Sequence, residues 1–83
     1  MNKILVEVML PAAQKTYDVY LPLELTIREI TQLLVKMFAD LNEGDYMPAP
    51  INLLCDGQSG DVLDISKSPA ELGVTNGVRL LLI

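Results

Sequence analysis

A single amphipathic helix near the middle of the chain constrains the fold more than any other feature of the sequence. The run Thr26-Ile27-Arg28-Glu29 is a capping box. In it, the Thr26 hydroxyl can accept from the backbone amide of Glu29, and the Glu29 side chain can reach back to the amide of Thr26. Apolar residues then recur at helical spacing, which predicts a helix from about Ile27 to Leu41 with one apolar face. The residues of this face are Ile27, Ile30, Leu33, Leu34, Met37, Phe38 and Leu41. One helix cannot bury such a face by itself, so the rest of the chain must supply a sheet.

The remaining sequence supplies that sheet. From Lys3 to Leu10, the residues Ile4, Val6, Val8 and Leu10 alternate with Leu5, Glu7 and Met9. Glu7 marks the solvent side, so the even-numbered residues are expected to face the core. Thr16 to Leu21 is a second strand, close enough in sequence to form a hairpin with the first. Further strands are expected at Ile51–Asp56, Val62–Asp64 (very short) and Val78–Ile83, with a single helical turn at Ser68–Gly73. This order predicts an α+β fold of the β-grasp type, with a mixed four- to five-stranded sheet packed on one long helix, as a single domain over residues 1–83.

The net charge of the chain limits the classes of partner that it can bind. It has 83 residues, with 6 Lys or Arg and 11 Asp or Glu, for a formal net charge of −5. The basic residues are scattered, whereas nucleic-acid binding needs clustered cations to neutralise phosphates. An anionic membrane surface would repel so acidic a chain. Proteins are therefore the expected partners.

The residue composition excludes several kinds of catalytic and metal-binding site. Histidine is absent and there is one cysteine. Neither a Ser-His-Asp nor a Cys-His pair can form, and a Cys/His zinc site or a disulfide is impossible within one chain. The acidic clusters do not match a calcium loop, since Gly44 and Gly60 occupy its third ligand position. We therefore expect no catalytic residues, no cofactor and no metal. The N-terminus lacks the features of a signal peptide, which favours a cytoplasmic location.

Nearly the whole length, Lys3 to Ile83, resembles a ubiquitin-like protein. The resemblance rests on the hairpin, the capped helix, the proline-containing loop after it, the L-L-C-D-G strand-turn, the P-A-E-L-G-V turn and the final N-G-V-R-L-L-L strand. Within that superfamily the chain is most similar to the YukD/EsaB-like proteins of Gram-positive bacteria, which are encoded with the WXG100 (type VII) secretion machinery. That resemblance implies a non-catalytic, non-conjugated interaction module, a cytosolic accessory or regulatory component of type VII secretion. It also implies a protein partner on the cytosolic face of the secretion complex.

Two alternatives to that function stay open. Ubiquitin, its conjugated relatives and the sulfur carriers of this fold end in Gly-Gly, whereas this sequence stops at Leu82-Ile83. A conjugated modifier or a sulfur carrier is therefore disfavoured. The other alternative is a homo-oligomeric structural module built through an exposed apolar face.

The alternation of side chains along a strand predicts which residues of the third strand face the core. We expect Ile51, Leu53 and Cys55 to face the core, which leaves Leu54 facing outward. Cys55 is then a buried thiol under the helix, and free cysteine is among the most buried residue types. A reactive thiol would need a nearby cation or a helix N-terminus to lower its pKa, so Cys55 is expected to be inert.

The candidate binding residues lie on the sheet face opposite the helix. In the last strand, inward-facing Leu80 and Leu82 leave Leu81 outward beside Arg79. The third strand is expected to neighbour the last one, which brings Leu54 and Leu81 together, and clustered exposed leucines indicate an interface. Ubiquitin-like domains commonly bind partners on this surface, and the resemblance implies the same use. The predicted protein-binding residues are Leu54, Leu81, Ala12, Arg79 and Met9, with Leu5 as an alternative to Met9.

Overall fold

The computed structural model describes residues 2–83. These residues form two layers, a four-stranded sheet and a helix that packs on one of its faces. The strands are β1 (Lys3–Leu10), β2 (Lys15–Pro22), β3 (Leu54–Asp56) and β4 (Arg79–Leu82), and the helices are α1 (Ile27–Asn42) and α2 (Pro69–Leu72). The short α2 lies where the helical turn was predicted.

The sheet has the strand order β2-β1-β4-β3. β1 and β2 form an antiparallel hairpin, β4 runs parallel to β1, and β3 runs antiparallel to β4. The first and last strands thus lie side by side in the middle of a mixed sheet, and the predicted β-grasp fold class is confirmed. The strand expected at Val62–Asp64 is reduced to one bridge between Val62 and Cys55. After Val62 the chain turns at Asp64, whose side chain accepts from the Ser66 amide, and the sheet has four strands.

Both ends of α1 follow from local chemistry. The Thr26 hydroxyl accepts from the Glu29 amide at 3.2 Å, and the Glu29 carboxylate accepts from the Thr26 amide at 3.1 Å, so the predicted capping box is present. The helix has 16 residues and ends at Asn42, one residue beyond the predicted end, so the prediction of a long helix is wrong. The buried Asn42 side chain donates to the Phe38 carbonyl at 2.7 Å and accepts from the Lys15 ammonium at 2.9 Å. It therefore ties the last turn of α1 to β2.

The core lies between α1 and the inner face of the sheet. The even-numbered residues of β1 point into it, as predicted. Tyr17 of β2 stacks on Phe38 of α1 with the ring centroids 4.7 Å apart. Tyr46, in the loop after α1, is also buried, although the sequence pattern gave no sign of it. The core residues are Ile4, Val6, Val8, Leu10, Leu21, Ile27, Ile30, Leu34, Phe38, Tyr46, Leu54, Leu80 and Leu82.

The orientation predicted for β3 is wrong. Leu54 is 2% exposed and pairs with Leu82, so it faces the core. Cys55 pairs with Leu81 and lies on the opposite side of the sheet, although it is also buried. Ile51, expected in the core, precedes the strand and is 77% exposed. This segment is apolar on both faces, so alternation alone could not set its phase, and the register with β4 decides it.

The prediction that the whole apolar face of α1 is buried is also wrong. Leu33, Met37 and Leu41 are 55%, 36% and 57% exposed. They lie four residues apart along one side of the helix, and Leu33 and Met37 line a depression together with residues of β2. Because β2 is the last strand on that side of the sheet, no further strand covers them.

Candidate protein-binding site

We call the sheet surface opposite α1 the outer face. The two central strands contribute Leu5, Glu7, Met9, Arg79 and Leu81 to it, from the odd-numbered positions of β1 and β4. Glu7 lies beside Arg79 in the register, and Met9 lies beside Leu81. Neighbouring side chains on one face of a sheet pack against each other, so the outer face presents an apolar pair next to a charged pair.

An apolar row crosses the outer face. Met9 and Leu81 lie side by side and are partly buried, and Val62, which is 54% exposed, lies beyond the buried Cys55 that pairs with Leu81. Leu5, on the other side of the charged pair, is 39% exposed. Contiguous apolar side chains on a surface mark an interaction site more than scattered ones do.

Glu7 and Arg79 form an ion pair in the centre of the outer face. The Arg79 Nε lies 2.8 Å from the Glu7 Oε1, and the two side chains are 59% and 38% exposed. So exposed a pair contributes at most about 1 kcal/mol to stability. It does hold the guanidinium next to the apolar row, where its remaining N–H groups can donate to a carbonyl or carboxylate of a partner.

Two turns position these side chains through contacts that the sequence pattern does not reveal. The Gly57 amide donates to the Arg79 carbonyl at 2.8 Å. A Cβ on Gly57 would lie 2.8 Å from the Arg79 Cγ and 2.9 Å from its carbonyl oxygen, so only glycine fits. In the other turn, the Asn76 side chain accepts from the Leu5 amide at 2.8 Å, and the Gly77 amide donates to the Leu5 carbonyl at 2.8 Å.

Cys55 lies on the outer side of β3 yet is closed off from solvent at 1% exposure. Leu81 flanks it on one side and Val62 on the other. Burial raises the pKa of the Cys55 thiol, so the group is protonated at neutral pH and is a poor nucleophile. The prediction of a buried cysteine is confirmed, but its placement under the helix is wrong.

The structure brings three of the five predicted binding residues together. Met9, Arg79 and Leu81 lie on the outer face, as expected. Ala12 is exposed, but it lines a separate depression at the end of the sheet, with residues of the loop after α1. Leu54 lies in the core and cannot contact a partner.

The acidic turns show local hydrogen bonding. Within residues 2–83, no group of three or more Cys, Asp or Glu side chains is placed to hold a metal ion. Asp64 accepts from the amide and the hydroxyl of Ser66, and these bonds lower the pKa of its carboxyl. In the same stretch of chain, neither helix has the length and apolar composition needed to cross a membrane.

Comparison with protein families identifies the family of this chain. The family model described as the WXG100 protein secretion system (Wss) protein YukD matches residues 4–82. The chain belongs to the YukD family. The resemblance inferred from the capped helix and the strand-turn motifs is therefore confirmed. Comparison with curated protein sequences gives no match.

Solved structures similar to this YukD-family chain include ubiquitin-like domains of type VII secretion. The EccD5 ubiquitin-like domain from Mycobacterium xenopi has a TM-score of 0.82 and 25% identity, over 100% of this chain and 94% of that one. The ubiquitin-like domain of Mycobacterium tuberculosis ECCD1 has a TM-score of 0.76 and 18% identity, over 100% and 99%. A chain of the MycP5-free ESX-5 inner membrane complex has a TM-score of 0.81 and 24% identity. That match covers 100% of this chain but 21% of the larger one.

Proposed function

We propose that this chain is a non-catalytic interaction module that docks on the type VII secretion complex through its outer face. The observation that carries the proposal is the apolar row through Met9 and Leu81, on a sheet whose other face is already covered by α1. Membership of the YukD family supports the secretion context. The similar fold within a chain of the ESX-5 inner membrane complex supports that complex as the docking partner, on its cytosolic side, where this chain acts as an accessory or regulatory component.

The outer face has the residue composition of a small protein–protein interface. The apolar side chains on either side of the ion pair lose water on docking, and a few such contacts carry most of the binding free energy of an interface. The Glu7–Arg79 pair beside them supplies polar specificity rather than affinity. Leu5 and Leu81 are apolar side chains of the outer face that can be truncated without removing either member of the ion pair.

The non-catalytic part of the proposal rests on the one candidate nucleophile. Cys55 is buried, and the pKa of its thiol is raised. Catalytic thiols instead lie in partly exposed, electropositive surroundings that lower the pKa. The outer face thus offers contact surface and not a reacting group.

The test is a titration of purified type VII inner membrane complex, from the bacterium that encodes this chain, with the labelled protein. We expect saturable binding that weakens about tenfold or more in the double variant Leu5→Ala/Leu81→Ala, because truncating central apolar residues of an interface costs about 1.4 kcal/mol or more. The matched control is Leu33→Ala/Leu41→Ala, which removes two exposed leucines from α1 and should bind as the wild type does.

Three results would count against the docking proposal. No binding of the wild-type chain would remove the complex as partner. Equal losses in both double variants would show that the outer face has no special role. A dimer seen by light scattering and abolished by Leu5→Ala/Leu81→Ala would make the outer face a contact between copies of this chain.

A further inference from the structure

A groove runs along α1 on the side of the molecule away from the outer face. It has a volume of about 510 Å³, within the size range of ligand-binding pockets. One wall is α1, and the other is the segment 48–53 with Ile65. Pro48 and Pro50 restrict the backbone of that second wall. The groove is lined by Arg28, Thr31, Gln32, Val35, Lys36, Ala39, Pro48, Pro50, Ile51, Asn52, Leu53 and Ile65.

The charge of this groove is opposite to that of the chain. The molecule carries 11 acidic and 6 basic residues, yet the groove is lined by two basic residues, Arg28 and Lys36, and by no acidic one. Both side chains are exposed. Across residues 2–83 the structure has one ion pair, Glu7–Arg79, so neither groove cation is paired with a carboxylate.

The other polar groups that line the groove are largely occupied. The Thr31 hydroxyl donates to the Ile27 carbonyl at 2.7 Å. The Asn52 amide group donates to the Ala49 carbonyl at 2.9 Å. The cations and the exposed Gln32 are therefore the polar groups most available to a ligand, beside the apolar side chains of the groove.

Apolar side chains in the groove are left open to solvent. Ile51 is 77% exposed and Ile65 is 43% exposed. Val35, which lies between the cations, and Ala39, which lies beyond Lys36, form the apolar part of the helical wall. A ligand that covers these residues removes apolar surface from water, which favours binding.

The distance between the two groove cations sets the spacing of the acidic groups in a ligand. Arg28 and Lys36 are eight residues apart on α1, which is about 12 Å along the helix axis. Two carboxylates that meet both cations must therefore lie about 12 Å apart on the ligand. An extended segment fits, and four residues of it span about 13 Å.

We propose that this groove binds an extended, apolar peptide segment of a partner that carries two carboxylates about four residues apart. The carboxylates meet Arg28 and Lys36, and the apolar side chains between them cover Ile51 and Ile65. The groove and the outer face lie on opposite layers of the fold, so one copy of the chain can hold two partners at once. The inference does not depend on the docking role of the outer face.

The test is a selection of random ten-residue peptides displayed on phage, against the immobilised full-length chain. Peptides that also bind the variant Arg28→Glu/Lys36→Glu are discarded. We expect the retained peptides to be enriched in Asp or Glu at positions four apart, with apolar residues between. No retained peptides, or retained peptides without acidic enrichment, would overturn the proposal.

Variants then locate the bound peptide. Synthetic copies of the retained peptides should bind Lys3→Glu/Lys67→Glu, a control with the same change in net charge outside the groove, as tightly as wild type. Their affinity should fall about tenfold for Ile51→Ser and stay unchanged for Leu41→Ser, an exposed leucine elsewhere on the molecule. Exchanging their carboxylates for lysines should move their preference to Arg28→Glu/Lys36→Glu.

Two outcomes separate this inference from the outer-face proposal. Unchanged peptide binding by Leu5→Ala/Leu81→Ala is expected, whatever that variant does to docking on the secretion complex. Loss of peptide binding in that variant, or in the charge control, would overturn the groove as the site.

Discussion

The two faces of the sheet carry similar apolar residues but differ in what covers them. On β1 and β4, Val8 and Leu80 point toward α1 and are 0% and 1% exposed. Their neighbours Met9 and Leu81 point the other way and are only partly buried. The inner face thus stabilises the fold, whereas the outer face has apolar side chains in excess of what the fold requires. The comparison shows that burial, more than residue type, separates the side chains that stabilise the fold from those left accessible to a partner.

The largest expected effect tests the two faces directly with one substitution on each. Leu54→Ala removes a core side chain and should lower the free energy of unfolding by about 2–5 kcal/mol. Leu81→Ala, on the outer face, should lower it by about 1 kcal/mol or less, because less apolar surface is lost. Urea denaturation of both variants measures the difference. Equal losses would mean that the outer face is as structural as the inner one.

Sequence reasoning succeeded where a residue's own neighbours determine its structure. The capping box at Thr26 needs only a residue three positions away, and it was predicted correctly. Sequence reasoning failed where pairing between residues far apart in the sequence determines which way a side chain points. The side to which Leu54 points depends on the register with β4, and the exposure of Leu33 depends on β2 being the last strand. The role of Gly57 depends on the backbone of Arg79, which is far away in sequence.

A smaller effect tests how firmly the outer face is built. Gly57→Ala places a methyl group against the Arg79 side chain and carbonyl, so one of them must shift. Such overpacking typically costs about 1–3 kcal/mol, and here it should also break the Glu7–Arg79 ion pair. Thermal unfolding and the chemical shift of the Arg79 Nε–H give the two readouts. An unchanged melt with an intact ion pair would show that the turn is looser than described.

The next prediction concerns α1, the helix that covers the inner face of the sheet. Thr26→Ala removes the cap of α1 and should cost about 1 kcal/mol, or about 4–8 °C in Tm for a domain of this size. It should leave the affinity of the outer face for its partner unchanged, because the cap lies in the other layer. Thr26→Ser, which keeps the hydroxyl, is the matched control and should melt close to wild type.

The smallest effect is a pH dependence of the same cap. Hydrogen bonds from Thr26 hold the pKa of the Glu29 carboxyl below its ordinary value. A carboxyl whose pKa is lowered on folding stabilises the fold above its unfolded pKa, and this contribution is lost as the pH falls through the folded value. Glu29→Gln should therefore reduce the loss of stability below about pH 4.5. Identical pH profiles for the variant and wild type would show that the Glu29 hydrogen bonds do not contribute.

The most direct test of the central claim is to observe the outer face in the bound state. Methyl NMR of the chain labelled at Leu and Met, with and without purified type VII inner membrane complex, reports on both layers in one spectrum. The account predicts that Leu5, Met9 and Leu81 broaden or shift on binding, while Leu33 and Leu41 on α1 do not. Changes confined to the α1 methyl groups, with the outer face unaffected, would contradict it.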